Sequence, residues 1–293
     1  MFTGTYTALV TPFHKGRVDE EAYQKLIRDQ VRAGVDGIVP VGTTGESPAL
    51  GFDEHIKVIE LAVRAAKGRV KVLAGTGANA TAEAIGLTKA AESVGADGSL
   101  QVAPYYNKPS QEGLFQHFKK IAQATSLPII LYSIPSRCNI AIEVPTVQRL
   151  AKACKNIVGI KEAGGDADRV SQLRAALGQR FTILSGDDAL TLPFMAVGAE
   201  GVISVASNII PRQITKMVNA FAAGKAADAL KLHQKYYPLF KDLFIETNPV
   251  PTKAALAMQG KCTEEYRLPL CKMSAANRAR LAKTLKACGV LKK

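Results

Sequence analysis

Ile157-Val158-Gly159-Ile160-Lys161 is a short apolar run closed by a basic residue, with Glu162-Ala163-Gly164-Gly165 behind it. So brief, continuous and β-branched a run reads as a strand buried on both faces, the kind that parallel sheets covered by helices contain. Seven more segments share the pattern: Tyr6–Val10, Gly37–Val41, Val70–Ala74, Gly98–Val102, Ile129–Tyr132, Phe181–Leu184 and Gly201–Val205. Amphipathic segments with helix-start signals separate them. Asp19-Glu20-Glu21 sets acids on the positive end of a helix dipole, and Thr81-Ala82-Glu83, Ser110-Gln111-Glu112 and Asp187-Asp188 read the same way. Within 53–66, apolar Ile56, Ile59, Leu61 and Val63 stand against Glu54, Lys57, Glu60 and Arg64, which suits a helix lying outside a sheet. Repeated strand–helix alternation over 1–224 predicts an α/β fold, a (β/α)8 TIM barrel. After Gly224 the strand pattern stops. Ala226–Phe240, Val250–Gln259 and Ala275–Ala287 predict a C-terminal three-helix extension over 225–293, with no low-complexity linker before it.

Composition removes several function classes. A chain of 293 residues with 47% hydrophobic and 22% charged residues is ordinary for a globular protein. No stretch is apolar enough to span a bilayer, and residues 1–12 lack the basic leader and apolar run of a signal peptide, so a cytoplasmic protein is expected, with no membrane partner. The five cysteines form no C-x-x-C pair and the four histidines no H-x-x-x-H pair, so neither a disulfide framework nor a metal site is expected. The formal charge is +13, and fourteen Lys/Arg against five Asp/Glu follow from Lys225 onward. These charges alternate with apolar residues at helical spacing, which reads as a solvated helix face, with no nucleic-acid partner.

Chemistry in such a barrel sits at the C-terminal ends of the strands. Lys161 ends one. An ammonium on that dry wall loses solvation, which lowers its pKa, and a neutral amine can attack a ketone to form an imine. The competing reading pairs Lys161 with Glu162, but successive strand side chains point to opposite faces. Tyr132 and Tyr106 offer phenol hydroxyls for proton transfer, with Thr43 as a hydroxyl between them, although a tyrosine at a strand end is more often packing. Arg137 follows Pro135 in a tight loop and can hold a carboxylate bidentately; otherwise it is a surface arginine. The small residues 42–45 let backbone N–H groups approach an anion, or simply make a βα turn. Gly75-Thr76-Gly77-Ala78-Asn79-Ala80 imitates a dinucleotide fingerprint, but no acid ends the next strand, so that reading is rejected. Asp187-Asp188 has no third ligand in the sequence and is read as a helix cap.

Together the motifs GTTGES at 42–47, GTGANAT at 75–81, PYYNKPSQEG at 104–113, IPSR at 134–137, GIKEA at 159–163 and LSGDD at 184–188 resemble the dihydrodipicolinate synthase and N-acetylneuraminate lyase superfamily over essentially the whole chain. The resemblance implies that Lys161 forms a Schiff base with pyruvate. It makes Thr43, Tyr132 and Tyr106 a proton relay, with Tyr106 entering from a neighbouring subunit of a homotetramer built as a dimer of dimers. Thr44 would hold the pyruvate carboxylate and Arg137 that of L-aspartate 4-semialdehyde, while Gly186 and Ile203 line the pocket through their backbone. The implied reaction joins these two substrates on the diaminopimelate route to lysine and needs no cofactor. A feedback site for lysine maps onto Pro48, His55, Asn79, Glu83 and Tyr105. Phe52 replaces a histidine of some inhibited members, so weak or altered lysine binding is expected. Ser133 and Cys138-Asn139 also depart from the usual pattern. The alternatives are a lyase acting on N-acetylneuraminate or a 2-keto-3-deoxy sugar acid, which Arg137 and the Tyr105-Tyr106 pair disfavour, and a non-catalytic binder that kept the scaffold.

Overall fold

The computed structural model describes residues 2–291. Every strand read from the sequence forms, with ends shifted by a residue or two: β1 Gly4–Ala8, β2 Gly37–Val39, β3 Lys71–Gly75, β4 Gly98–Val102, β5 Ile129–Ser133, β6 Ile157–Glu162, β7 Thr182–Ser185 and β8 Gly201–Ser204. Each pairs in parallel with its chain neighbours, and residues 4–7 of β1 lie against residues 201–204 of β8, which closes the barrel. Around it run α1 Glu20–Ala33, α2 Phe52–Ala66, α3 Thr81–Ser93, α4 Gln111–Gln123, α5 Val144–Ala153, α6 Ala167–Leu177, α7 Thr191–Ala196 and α8 Pro211–Ala222. Three further helices follow, α9 Ala226–Asp242, α10 Val250–Met258 and α11 Ala275–Ala287.

The start signals act as their chemistry requires. Asp19 accepts from the Ala22 N–H at 3.0 Å and Ser110 from the Gly113 N–H at 3.2 Å, each occupying an N–H that the first helical turn leaves free. Asp187-Asp188 is the exception. α7 starts only at Thr191, after Leu190, and the two acids do not cap it. Asp187 closes a local turn by accepting from the Ala189 N–H at 2.7 Å. Asp188 is buried and accepts from Ser204 Oγ at 2.5 Å, Val205 N at 3.0 Å and Ala206 N at 2.9 Å, tying β7 to the loop after β8.

The strand interiors supply the central core, with Leu73, Ile130, Ile160, Ile183 and Ile203 buried. A second apolar cluster runs without a break from Val202 and Ala206 through Met217 to Leu239, Phe240, Ala255 and Leu281. Each fully buried Val, Leu, Met or Phe side chain in it contributes about 1.5–3 kcal/mol. The C-terminal helices are therefore held to the β8 side of the barrel by a shared apolar seam. A small hairpin, residues 13–14 with 17–18, lies outside the sequence reading because its strands are too short to show a period. Its turn residues Lys15 and Gly16 both take positive φ, as a two-residue hairpin turn demands, and the Glu265 carboxylate accepts from both their N–H groups.

Candidate active site

Strand register brings the first pair of groups together. Tyr132 of β5 stands opposite Lys161 of β6, which stands opposite Leu184 of β7, so all three side chains face the same way. The Lys161 Nζ lies 4.0 Å from the Tyr132 ring centroid. Glu162 faces outward instead, accepting from Gly164 N at 2.7 Å and Arg169 Nε at 2.8 Å, so it cannot neutralise Lys161. Burial pushes the Lys161 amine down from the ordinary lysine range to about 7; Asp188 opposes that shift and the Arg137 charge adds to it. About half of such amines are neutral near pH 7. Gly186 leaves the lysine its space: a Cβ there would stand 3.0 Å from Lys161 Cε and 2.7 Å from Ala163 Cβ. Burial also raises the Tyr132 phenol, against the Arg137 charge and the Thr43 hydroxyl.

Above this pair the chain makes a tight 3-10 turn, Thr43–Gly45. Val41, just before it, holds a φ of 55°, a conformation that costs a β-branched residue on the order of 1–3 kcal/mol. The strained carbonyl of Val41 sits where a Cβ on residue 75 would be only 2.5 Å away, which is why Gly75 stands in β3. The glycines of 75–77 therefore serve close packing within the barrel. Among the described residues, the Thr43 and Thr44 N–H groups have no backbone partner, as expected at the start of such a turn. Arg137 projects from the short helical turn Pro135–Cys138, and its Nη2 donates to Asn248 O at 3.2 Å. The cavity between them, about 260 Å³, is lined by Thr43, Thr44, Tyr132, Lys161, Arg137 and Gly186, among others.

Three expected groups stand elsewhere. Tyr106 is 91% exposed on a turn with φ 71° and does not reach this cavity within its own chain. Ile203 is buried in the barrel core and Val205, two residues on, lines the cavity in its place. The residues expected around lysine are only partly gathered. Asn79 Nδ2 donates to Tyr105 O at 3.3 Å, and the Glu83 charge helps burial raise the Tyr105 phenol. His55 is turned inward onto Gly75 O at 2.8 Å and burial lowers its pKa, while Pro48 lines the main cavity. Phe52 is half exposed beside Gly86.

Among the lining residues given no site role from the sequence are Cys138, named only as a departure from the family pattern, and Phe244 and Asn248. Burial raises the Cys138 thiol to about 11, and it donates to Ala103 O at 3.1 Å, so it is an inert wall. Phe244 and Asn248 come from the segment between α9 and α10. The only signal there was a polar Asn248 directly before two closely spaced prolines, in Asn248-Pro249-Val250-Pro251.

Comparison with known proteins agrees with this geometry. The model of the dihydrodipicolinate synthetase family matches residues 1–288. The chain is 52% identical over 292 residues to the 4-hydroxy-tetrahydrodipicolinate synthase of Endomicrobium trichonymphae, covering 100% of both chains. Among solved structures, the 4-hydroxy-tetrahydrodipicolinate synthase from Methylacidiphilum fumariolicum SolV superposes with a TM-score of 0.98 at 57% identity, covering 99% of this chain and 96% of that one. The enzyme from Cyanidioschyzon merolae with lysine bound gives 0.96 at 41% identity, covering 99% of each chain. A match of this extent, running through every strand end that builds the cavity, makes the chain a member of the dihydrodipicolinate synthetase family.

Proposed function

We propose that this barrel condenses pyruvate with L-aspartate 4-semialdehyde through a Schiff base on Lys161, the 4-hydroxy-tetrahydrodipicolinate synthase reaction of lysine biosynthesis by way of diaminopimelate. The observation that carries this reading is a buried lysine that has no ion-pair partner among the described residues, set over the Tyr132 ring in a cavity also lined by Thr43, Thr44 and Arg137. The neutral Nζ adds to the pyruvate carbonyl carbon, and the carbinol oxygen takes a proton from the tyrosine–threonine relay and leaves as water, giving an iminium. That cation acidifies the methyl group, and the proton departs through Tyr132, Thr43 and the Tyr106 of a neighbouring subunit. The resulting enamine carbon attacks the aldehyde. The amino group of the semialdehyde then adds to the imine carbon, closing the ring and releasing Lys161. The Thr43–Thr44 turn receives the pyruvate carboxylate, and Arg137 receives that of the semialdehyde. Gly186 gives the imine room. The wall position expected of the Ile203 backbone falls to Val205. No step as written uses a cofactor.

Trapping tests the reading. Borohydride added with pyruvate should reduce the imine and leave a pyruvyl adduct on the peptide containing Lys161. An adduct confined to another lysine, Lys253 above all, defeats the mechanism. Cleavage of N-acetylneuraminate or a 2-keto-3-deoxy sugar acid in place of the condensation would move the enzyme to another branch.

The assembly proposed with it is a homotetramer, a dimer of dimers, in the cytoplasm. An exposed Tyr106 on a strained turn, outside its own cavity, supports a shared site. No helix among the described residues is long and apolar enough to cross a membrane. Residues 1–224 form the catalytic barrel and 225–293 the helical extension, with Met1, Lys292 and Lys293 outside the described residues. Lysine binds weakly beside Asn79, Glu83 and Tyr105, with His55 and Pro48 nearby. The convergence of Asn79 and Glu83 on Tyr105 supports this. A rate unmoved by millimolar lysine removes it.

A further inference from the structure

Asn248 belongs to the C-terminal part of the chain, yet it reaches the turn at 43–45. It is buried, and its side-chain oxygen, side-chain nitrogen and backbone oxygen each have a partner. Its Oδ1 accepts from Thr252 Oγ1 at 3.0 Å, one turn along in α10. That leaves Nδ2 to donate, and it does so to Thr44 Oγ1 at 2.9 Å. Its backbone oxygen accepts from Arg137 Nη2 at 3.2 Å. A hydroxyl that accepts from an amide keeps one proton to give. Among the described residues Thr44 Oγ1 donates to no protein atom, and Thr44 lines the cavity. The turn itself is anchored from the same segment. Lys253 Nζ lies 2.6 Å from Glu46 Oε1, both fully buried, and the Arg267 N–H donates to Glu46 Oε2 at 3.2 Å.

We propose that Asn248 is a positioning residue for pyruvate: its amide holds the Thr44 hydroxyl with the proton aimed into the cavity, ready for the substrate carboxylate. The inference rests on the reading that the Thr43–Thr44 turn takes that carboxylate. Thr252 fixes the amide's orientation, and Asn248 fixes the polarity of Thr44. The second substrate's arginine is held through the backbone oxygen of Asn248, which a side-chain substitution leaves in place.

Steady-state kinetics of Asn248→Ala, Asn248→Asp, Thr44→Val and the double variant Thr44→Val/Asn248→Ala tests this. Asn248→Ala should raise the KM for pyruvate on the order of tenfold, as expected for losing one oriented hydrogen bond to a charged group, with kcat within about threefold. The KM for the aldehyde should stay within about twofold. Asn248→Asp keeps the side-chain shape but turns the donor into an anionic acceptor. Its pyruvate KM should rise roughly a further tenfold at neutral pH and recover as the pH falls and the carboxyl regains a proton. In the Thr44→Val background, Asn248→Ala should add nothing. If Thr44→Val raises the pyruvate KM while Asn248→Ala and Asn248→Asp leave it unchanged, the positioning role is wrong and the carboxylate reading stands. If the two single effects multiply in the double variant, Asn248 acts through the fold and not through Thr44, and the proposal falls. If Thr44→Val itself leaves the pyruvate KM unchanged, the carboxylate reading and the proposal fall together.

Discussion

Lys161 and Lys253 are both almost wholly removed from water, and burial lowers the pKa of each, yet their surroundings give them opposite chemistry. Lys253 starts near the seam where α10 meets the 42–47 turn. Its Nζ meets Glu46 at 2.6 Å and lies 4.2 Å from the Phe13 ring and 5.2 Å from the Tyr266 ring. Both the Glu46 charge and its hydrogen bond pull the proton back onto the amine. Lys161, at the end of β6, has Tyr132 at 4.0 Å but no carboxylate within ion-pair distance among the described residues. The acid that favours its protonated form, Asp188, spends its oxygens on Ser204 and the N–H groups of Val205 and Ala206. Burial alone does not make a lysine a nucleophile. Burial with the countercharge turned away does, because only then is the neutral amine the cheaper state.

The sharpest way to break this comparison is to delete each amine in turn. Lys161→Ala should lower kcat by at least about 10³-fold and abolish the trapped adduct, while the far-ultraviolet circular dichroism stays native. Lys253→Met should still form the adduct with pyruvate. A trapped adduct surviving Lys161→Ala, or lost in a folded Lys253→Met, would invert the assignment.

Stability should move the other way. Removing the Lys253 charge strands Glu46 in the interior and should cost about 3–5 kcal/mol, most of it recovered by adding Glu46→Gln. Lys161→Met should stabilise the protein. The folded amine titrates near 7 against 10.5 for an unfolded lysine, so below pH 7 the folded chain bears the full cost of a buried charge. That cost fades as the pH rises from 7 towards 10.5 and is absent above it. At about 1.4 kcal/mol per pKa unit the gain at pH 6 amounts to a few kcal/mol, seen as a rise in Tm that shrinks by pH 9. A Tm gap that stays the same from pH 6 to pH 9 would mean that the folded and unfolded amines titrate alike, so that burial does not lower the Lys161 pKa.

The barrel and its chemical centre are legible in the sequence for one physical reason. Strands buried on both faces appear as continuous apolar runs, so a charge ending one of them, as at Lys161, stands out against its neighbours. The outward turn of Glu162 follows from strand alternation alone. Asp187-Asp188 misled because an acid pair before an apolar segment looks the same whether it caps a helix or ties two strands together. Asn248 was illegible for a different reason. Its partners Thr44 and Arg137 are 204 and 111 positions away, and no local period encodes a contact that exists only once α9 and α10 have docked. Tyr106 shows a related limit, since no local period tells that its side chain stands exposed and outside its own chain's cavity.

The smallest effect expected is also the one that tests the electrostatics most directly. Imine formation needs the neutral amine of the free enzyme, so kcat/KM for pyruvate should follow deprotonation of Lys161. With an amine near 7, the neutral fraction rises about tenfold between pH 6 and pH 8 and then levels off. An amine left in the ordinary lysine range, about 10.4, would instead keep gaining activity well into the alkaline range. Asp188→Asn removes the one nearby charge that favours the protonated amine, so the inflection should move to lower pH. An inflection that stays in place in Asp188→Asn, with Ser204 and Val205 still hydrogen-bonded to the amide, would show that burial alone sets the amine's titration.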